Sequence, residues 1–200
     1  MRCFVAVVPP ADALEDLDAF LDVRRASGDF RWTPEDQIHL TLAFCEEVAD
    51  RHLDELLERL ERAAARRTPF ATRIAGGGAF PNVSDARVLW AGLELDDDAR
   101  TEAGRLADGC RAAASRTGVA VAGQRFRPHL TVARVRRPTE MTPWVRLLDA
   151  YAGPPWTADS ISLVQSHLGE GPRKRPRYQV LAELPLGPSD AGAAHPDGSG

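Results

Sequence analysis

The strongest constraint on this chain is a short segment that occurs twice. Gln37-Ile38-His39-Leu40-Thr41-Leu42-Ala43-Phe44 is echoed ninety residues later by Pro128-His129-Leu130-Thr131-Val132-Ala133-Arg134. Each copy reads His-Leu-Thr, then an aliphatic residue, then Ala. Strict alternation predicts a strand for the first, with Ile38, Leu40, Leu42 and Phe44 on one face and His39, Thr41 and Ala43 on the other. In the second, Leu130 and Val132 turn one way while His129, Thr131 and Ala133 turn the other. Side chains two apart on a strand share a face, so each copy presents an imidazole beside a hydroxyl. Two such strands facing each other would hold two imidazoles and two hydroxyls around one small ligand.

The surroundings of the motifs repeat as well. A strand over 1–8 and a helix over 11–25 precede the first motif. After His39 the pattern predicts a helix over 51–67, with Asp50 as its cap and Leu53, Leu56, Leu57, Leu60 and Ala64 as its apolar stripe. A strand over 70–74, a turn at Gly76-Gly77-Gly78 and a strand over 86–95 follow. The next helix is expected over 97–116, where Asp96, Asp97 and Asp98 suit the helix dipole better than a metal. A connector or strand over 119–126 leads to the second motif. After His129 come a helix over 143–151 and strands over 156–168 and 177–186, joined at Gly169-Glu170-Gly171-Pro172. The expected class is therefore α+β: two pseudo-symmetric lobes of mainly antiparallel sheet, with outer helices and a central cleft. Residues 1–186 form one bilobal domain on this reading, and the Gly, Pro, Ser, Ala and Asp of 187–200 predict a disordered tail.

Composition narrows the function. Hydrophobic residues at 44% suffice for a core, and a formal net charge of −4 supplies no global field to draw the chain onto long nucleic acid. Local positive groups for a small anion remain, nearly all of them arginine, since Lys174 is the sole lysine. Cys3, Cys45 and Cys110 lack the spacing of a zinc site or a disulfide framework, which suggests a reducing compartment. No segment has membrane-spanning length, and the apolar N-terminal run is short for a signal sequence. A cytoplasmic monomer without cofactor is expected.

Histidine, with an ordinary pKa of about 6.5, serves either as acid or as base near neutrality. Paired imidazoles can divide that work, as in-line displacement at phosphorus requires. Thr41 and Thr131 can donate hydrogen bonds to non-bridging phosphate oxygens. Without a neighbouring carboxylate the set makes a poor divalent-metal site, and no metal is expected. Gly76-Gly77-Gly78 lacks the spacing of a phosphate-binding loop.

The doubled motif resembles the HxTx repeats of the two-histidine (2H) phosphoesterase superfamily. The resemblance extends over 1–186, with further support from Met1-Arg2-Cys3-Phe4-Val5-Ala6-Val7, Gly78-Ala79-Phe80-Pro81 and Arg87-Val88-Leu89-Trp90. The branch it is most similar to is the bacterial RNA 2',3'-cyclic phosphodiesterases, also known as 2'-5' RNA ligases. That resemblance implies metal-free hydrolysis of a 2',3'-cyclic phosphate at an RNA end to a 2'-phosphomonoester. It gives His39 the role of protonating the departing 3' oxygen and His129 that of activating water, while the residues themselves leave those roles interchangeable. Run backwards with a 5'-hydroxyl RNA, the same step is ligation. The chain departs from the family pattern by inserting 173–177 before Tyr178, where a short Gly-x-x-Tyr segment is usual.

Strand parity makes Arg127 a candidate RNA-backbone contact on the His129 face. Arg134 follows the second motif as in the family; parity turns it away from His129 unless the strand bulges. Parity likewise sends Phe44 to the core. His52 on a helix surface, His167 near a strand end and His195 in the tail carry no chemistry. Two alternatives remain: a nucleotide- or RNA-binding module without catalysis, and a phosphodiesterase for another small cyclic or 2'-5' linked nucleotide.

Overall fold

A computed structural model of the chain describes residues 1–122 and 125–188. In chain order the elements are β1 (Cys3–Val7), α1 (Ala11–Asp22), β2 (Arg31–Trp32), β3 (Leu40–Cys45), α2 (Leu53–Ala64), β4 (Phe70–Phe80) and β5 (Ala86–Glu94). They continue with α3 (Asp97–Arg116), β6 (Leu130–Thr139), α4 (Thr142–Asp149), β7 (Trp156–Ala158), β8 (Ser160–His167) and β9 (Arg177–Pro185). The strands run in the order β7-β4-β5-β6-β3-β1-β8-β9, with β2 beside β6, and every pairing is antiparallel. The expected α+β class is what forms. β1, β3, β8 and β9 make one lobe, β4 to β7 with β2 the other, and the lobes join at one backbone pair, Leu40 with Leu130.

Helices line the outer faces because their apolar stripes require it. On α2, Leu56, Leu60 and Ala64 are fully buried at four-residue spacing, and Arg59 pairs with Glu55 on the outer side. The α3 helix begins at Asp96, whose carboxylate accepts from the Ala99 N–H at 2.7 Å, with Asp97 and Asp98 in the first turn. Its buried face of Ala103, Leu106, Ala107, Cys110 and Ala114 is small enough to lie close against α2 and β3. On the other lobe, α4 packs on β4, and α1 joins it through the Tyr151 hydroxyl, which donates to Asp16 at 2.6 Å.

Several local expectations need correction. Gly76-Gly77-Gly78 is no turn: β4 runs through it to Phe80, and the reversal lies at 81–85. Gly76 takes a positive φ of 70° at a register shift, while Gly77 and Gly78 are required by close packing. A Cβ at Gly77 would sit 2.6 Å from Leu148 Cβ, and one at Gly78 2.2 Å from Trp90 Cζ2. Asp50 opens a 3-10 turn ahead of α2 and caps nothing. His52, in that turn, is half-buried, and its Nδ1 donates to the Thr117 carbonyl at 2.6 Å, tying the entry of α2 to the end of α3. The single strand predicted over 156–168 breaks at Asp159, so that β7 pairs with β4 and β8 with β1, one in each lobe. Between α3 and the second motif the described residues hold a single bridge, Val121 with Cys45. The predicted tail lies mostly outside the described residues; at its start, the Gly187 N–H still donates to the Ala64 carbonyl at 3.2 Å.

The glycines separate two physical effects. Gly78→Ala should lower stability by about 1–3 kcal/mol, the usual cost of overpacking. Gly104→Ala, inside α3 with nothing within 4 Å of the added Cβ, should raise it by about 0.5–1 kcal/mol. Urea unfolding of the two variants checks both signs.

Candidate active site

The Leu40–Leu130 pair decides where the histidines go. Each histidine lies one residue before its paired leucine, just ahead of β3 or β6. Carrying that antiparallel register one step either way sets His39 across from Thr131 and Thr41 across from His129. All four line one cleft of about 320 Å³ that opens between the lobes. The four residues singled out by the repeat are therefore brought together.

Both imidazoles are held alike. His39 Nδ1 lies 2.8 Å from the Gln37 carbonyl, and His129 Nδ1 lies 2.7 Å from the Arg127 carbonyl. A carbonyl only accepts, so each Nδ1 carries hydrogen and each Nε2 is left for a ligand. Aromatic rings fix the planes. His39 stacks on Phe4 with centroids 4.5 Å apart at 19°, and Tyr178 meets it edgewise at 5.7 Å. His129 stands at 87° to Phe80, 4.9 Å away.

Matching bulges then re-aim the residues beyond. Along β1 and β3, Val5 pairs with Ala43 and Ala6 with Thr41, leaving Leu42 without a partner. Along β5 and β6, Leu89 pairs with Ala133 and Trp90 with Thr131, leaving Val132 without one. The extra residue sits three positions after the histidine in each motif and inverts the parity that follows. Phe44, expected in the core, lines the cleft instead, with the Arg2 guanidinium 4.5 Å from its ring centroid. Arg134, five residues after His129 as Phe44 is after His39, is likewise turned into the cleft. Arg127 behaves differently: its carbonyl anchors His129, while its exposed side chain lines a smaller neighbouring cavity of about 130 Å³ with Arg111 and Arg125.

The rim adds Arg31 and Trp32, which the sequence pattern did not single out, and part of the inserted segment over 173–177, which it did. Arg31 and Trp32 arrive on β2, paired with Arg134 and Ala133. Arg175 and Pro176 come from the inserted segment before Tyr178, and Gln37 holds that segment by donating to the Pro176 carbonyl at 2.9 Å. A three-residue 3-10 turn and a two-residue strand have no periodicity by which to read them.

Among the described residues no group of three or more His, Cys, Asp or Glu side chains is placed to hold a metal. Charge in the cleft is positive. Burial pushes the His39 imidazole down to about 4, against the raising effect of its Gln37 bond, with His129 and Arg134 lowering it further. Burial also lowers His129, opposed by its Arg127 bond and assisted by Arg134. These surroundings keep His39 uncharged at neutrality, and an anion between the rings would act in the opposite direction, raising its pKa.

A family model of the 2'-5' RNA ligase superfamily matches residues 9–170. The chain belongs to that superfamily. An RNA 2',3'-cyclic phosphodiesterase of Thermus thermophilus is 33% identical over 193 residues, covering 93% of this chain and 90% of the relative. The crystal structure of TT0787 from the same organism superposes with a TM-score of 0.71 at 32% identity, covering 93% of this chain and 98% of that one. Apo E. coli LigT gives a TM-score of 0.74 at 24% identity, over 93% and 97% of the chains, a likeness of fold. The matched span 9–170 contains His39, Thr41, His129 and Thr131.

Imidazole titration tests this electrostatic picture. In NMR of the ligand-free protein, His39 should stay neutral until the pH falls to about 4. Arg134→Gln removes a cation that opposes charging of both rings, so both should then titrate at higher pH. Titration curves unchanged by that substitution would show that Arg134 does not act on the imidazoles.

Proposed function

We propose that the chain is an RNA 2',3'-cyclic phosphodiesterase working by two-histidine acid–base catalysis. The observation that carries this reading is the matched anchoring of His39 and His129, each with Nδ1 held by the carbonyl two residues earlier. A phosphate seated between two free Nε2 atoms can be attacked on one side and can release oxygen on the other. His129 takes a proton from water as its oxygen bonds to phosphorus. The bond from phosphorus to O3' breaks, and His39 gives its proton to that oxygen. The product is a 2'-phosphomonoester beside a free 3'-hydroxyl, and the two rings reset through solvent. Face-to-face stacking on Phe4 favours a charged His39 ring and supports its role as the acid. Thr41, Thr131 and Arg134 stabilise the non-bridging oxygens. Phe44 and Tyr178 offer ring faces to a base, and Arg127 meets the RNA backbone from the adjoining cavity. Ligation is the same step reversed, with a 5'-hydroxyl RNA in place of water.

Residues 1–186 act as one catalytic domain in this reading, in the cytoplasm and as a monomer. The three cysteines are free and buried, which supports a reducing compartment. No described helix is long and apolar enough to cross a membrane.

His39→Ala and His129→Ala should each slow hydrolysis of a 2',3'-cyclic nucleotide by about 10²–10⁴-fold, with the fold retained. The double variant should lose less than the product of the two, because the rings act as a unit. Thr41→Val and Thr131→Val should lose less than either histidine variant. Full turnover by either folded single-histidine variant would sink the two-histidine mechanism, whereas a wild-type chain with no turnover of cyclic nucleotides would favour a binding module. Chelators should leave the rate intact; loss with recovery on adding zinc or manganese would do equal damage.

The pH dependence follows from the direction of the imidazole shifts. Acid inactivates by protonating the His129 base, and alkali by removing the His39 proton. Because kcat/KM reports the free enzyme, its alkaline limb should fall below pH 6.5. A bound phosphate raises the imidazoles, so the alkaline limb of kcat should lie at higher pH. Coincident limbs in the two profiles would show that the phosphate does not bear on the acid.

A further inference from the structure

The outer side of the helical layer carries a second concentration of positive charge, remote from the histidines. α2 and α3 meet where Gly109 faces Ala63, a Cβ added there lying 3.6 Å from the alanine's. These two residues, with Ala112 and Ala113, floor a groove of about 520 Å³. Its walls are guanidinium groups: Arg59, Arg62, Arg66 and Arg67 from the α2 side, and Arg105 and Arg116 from α3. Six of the chain's 25 cationic side chains thus line one groove, against a single carboxylate among the described lining residues, Asp108.

Rim glutamates compensate part of this charge. Arg59 pairs with Glu55, Arg62 with Glu58, and Arg67 and Arg105 share Glu102. Arg66 and Arg116 have no carboxylate partner among the described residues, and both are exposed. Like charges gathered in one groove repel each other, and a ligand carrying several negative charges relieves that repulsion. The planar guanidinium fork suits phosphate, which it grips by two parallel hydrogen bonds. The described lining has no aromatic ring on which a base could stack and no deep apolar pocket for a peptide side chain. Repeated phosphates, contacted without regard to sequence, fit that lining best.

α3 links this groove to the cleft. Arg111, on the same helix as Arg105 and Arg116, lines the small cavity beside His129 together with Arg125 and Arg127. Cationic side chains therefore mark a route from the histidines around α3 to the outer groove. We propose that the α2–α3 groove binds the phosphodiester backbone of single-stranded RNA, as a second contact for a substrate whose end lies in the cleft. The identity of the strand as substrate rests on the phosphodiesterase reading above; the phosphate chemistry of the groove does not.

The test is fluorescence anisotropy of a labelled oligouridylate ending in an ordinary 3'-hydroxyl, with the full chain and its Arg66→Glu/Arg116→Glu variant. Affinity at low salt should fall about tenfold, and the slope of log affinity against log salt should become shallower by about 1.4, at roughly 0.7 for each of two single-strand phosphate contacts. Hydrolysis of a 2',3'-cyclic mononucleotide, too short to reach the groove, should be unchanged, as should thermal unfolding. Arg66→Lys/Arg116→Lys, which keeps the charge, should retain most of the binding. Undiminished oligouridylate affinity in the folded charge-reversed variant would overturn the proposal, and so would tighter binding of polyglutamate than of RNA. Groove-dependent RNA binding by a wild-type chain that turns over no cyclic nucleotide would uphold the groove while removing the phosphodiesterase reading.

Discussion

One rung of backbone pairing, Leu40 with Leu130, sets the geometry of the cleft. It joins equivalent residues of the two motifs, so the relation between the lobes runs through it and the histidines flank it. Both leucines are almost completely buried, under helices on the face opposite the cleft. Hydrophobic burial thus holds the register that places the polar groups, and a slip of one residue would send every side chain to the other face. Beyond the rung the two strands part, each continuing its pairing within its own lobe. That divergence opens the cleft.

Inside the cleft, enclosure and positive charge act together. Burial and Arg134 both disfavour a charged imidazole, and the Nδ1 hydrogen bonds oppose them only in part. The same surroundings, partly enclosed and lined by fixed donors, strengthen the attraction for a phosphate anion. An anion seated beside His39 would favour its charged form, which would couple ligand binding to proton uptake. Phe4 contributes from below, its ring face stacked against the imidazole without competing for a hydrogen bond.

Much of this was legible in the residues and some was not, for physical reasons. Periodicity two in the motifs and periodicity near four in α2 and α3 are direct projections of burial, so class, repeat and core stripes could be read. His39, Thr41, His129 and Thr131 share parity within each motif, and the structure brings them together. Parity failed at Phe44 and Arg134, because a bulge is a property of the partner strand's register and leaves no mark on alternation. Gly76-Gly77-Gly78 misled for a related reason: a glycine tolerated for its turn and one demanded by a neighbour's indole look the same in one dimension. Rim residues such as Arg31 and Arg175 stand in segments too short to have a period.

The lobes do not correspond to halves of the chain. β1 belongs to one lobe and the next helix to the other; the chain returns for β3, leaves for β4 and β5, returns for α3, leaves for β6 and comes back for β8. Each lobe is assembled from pieces that alternate along the sequence, like the fingers of clasped hands. A nascent chain therefore cannot complete the lobe of His39 until β8 and β9 have been made, long after the histidine itself. Both lobes therefore need residues from either side of His129, and among the described residues no contiguous fragment contains one complete lobe with only its own histidine.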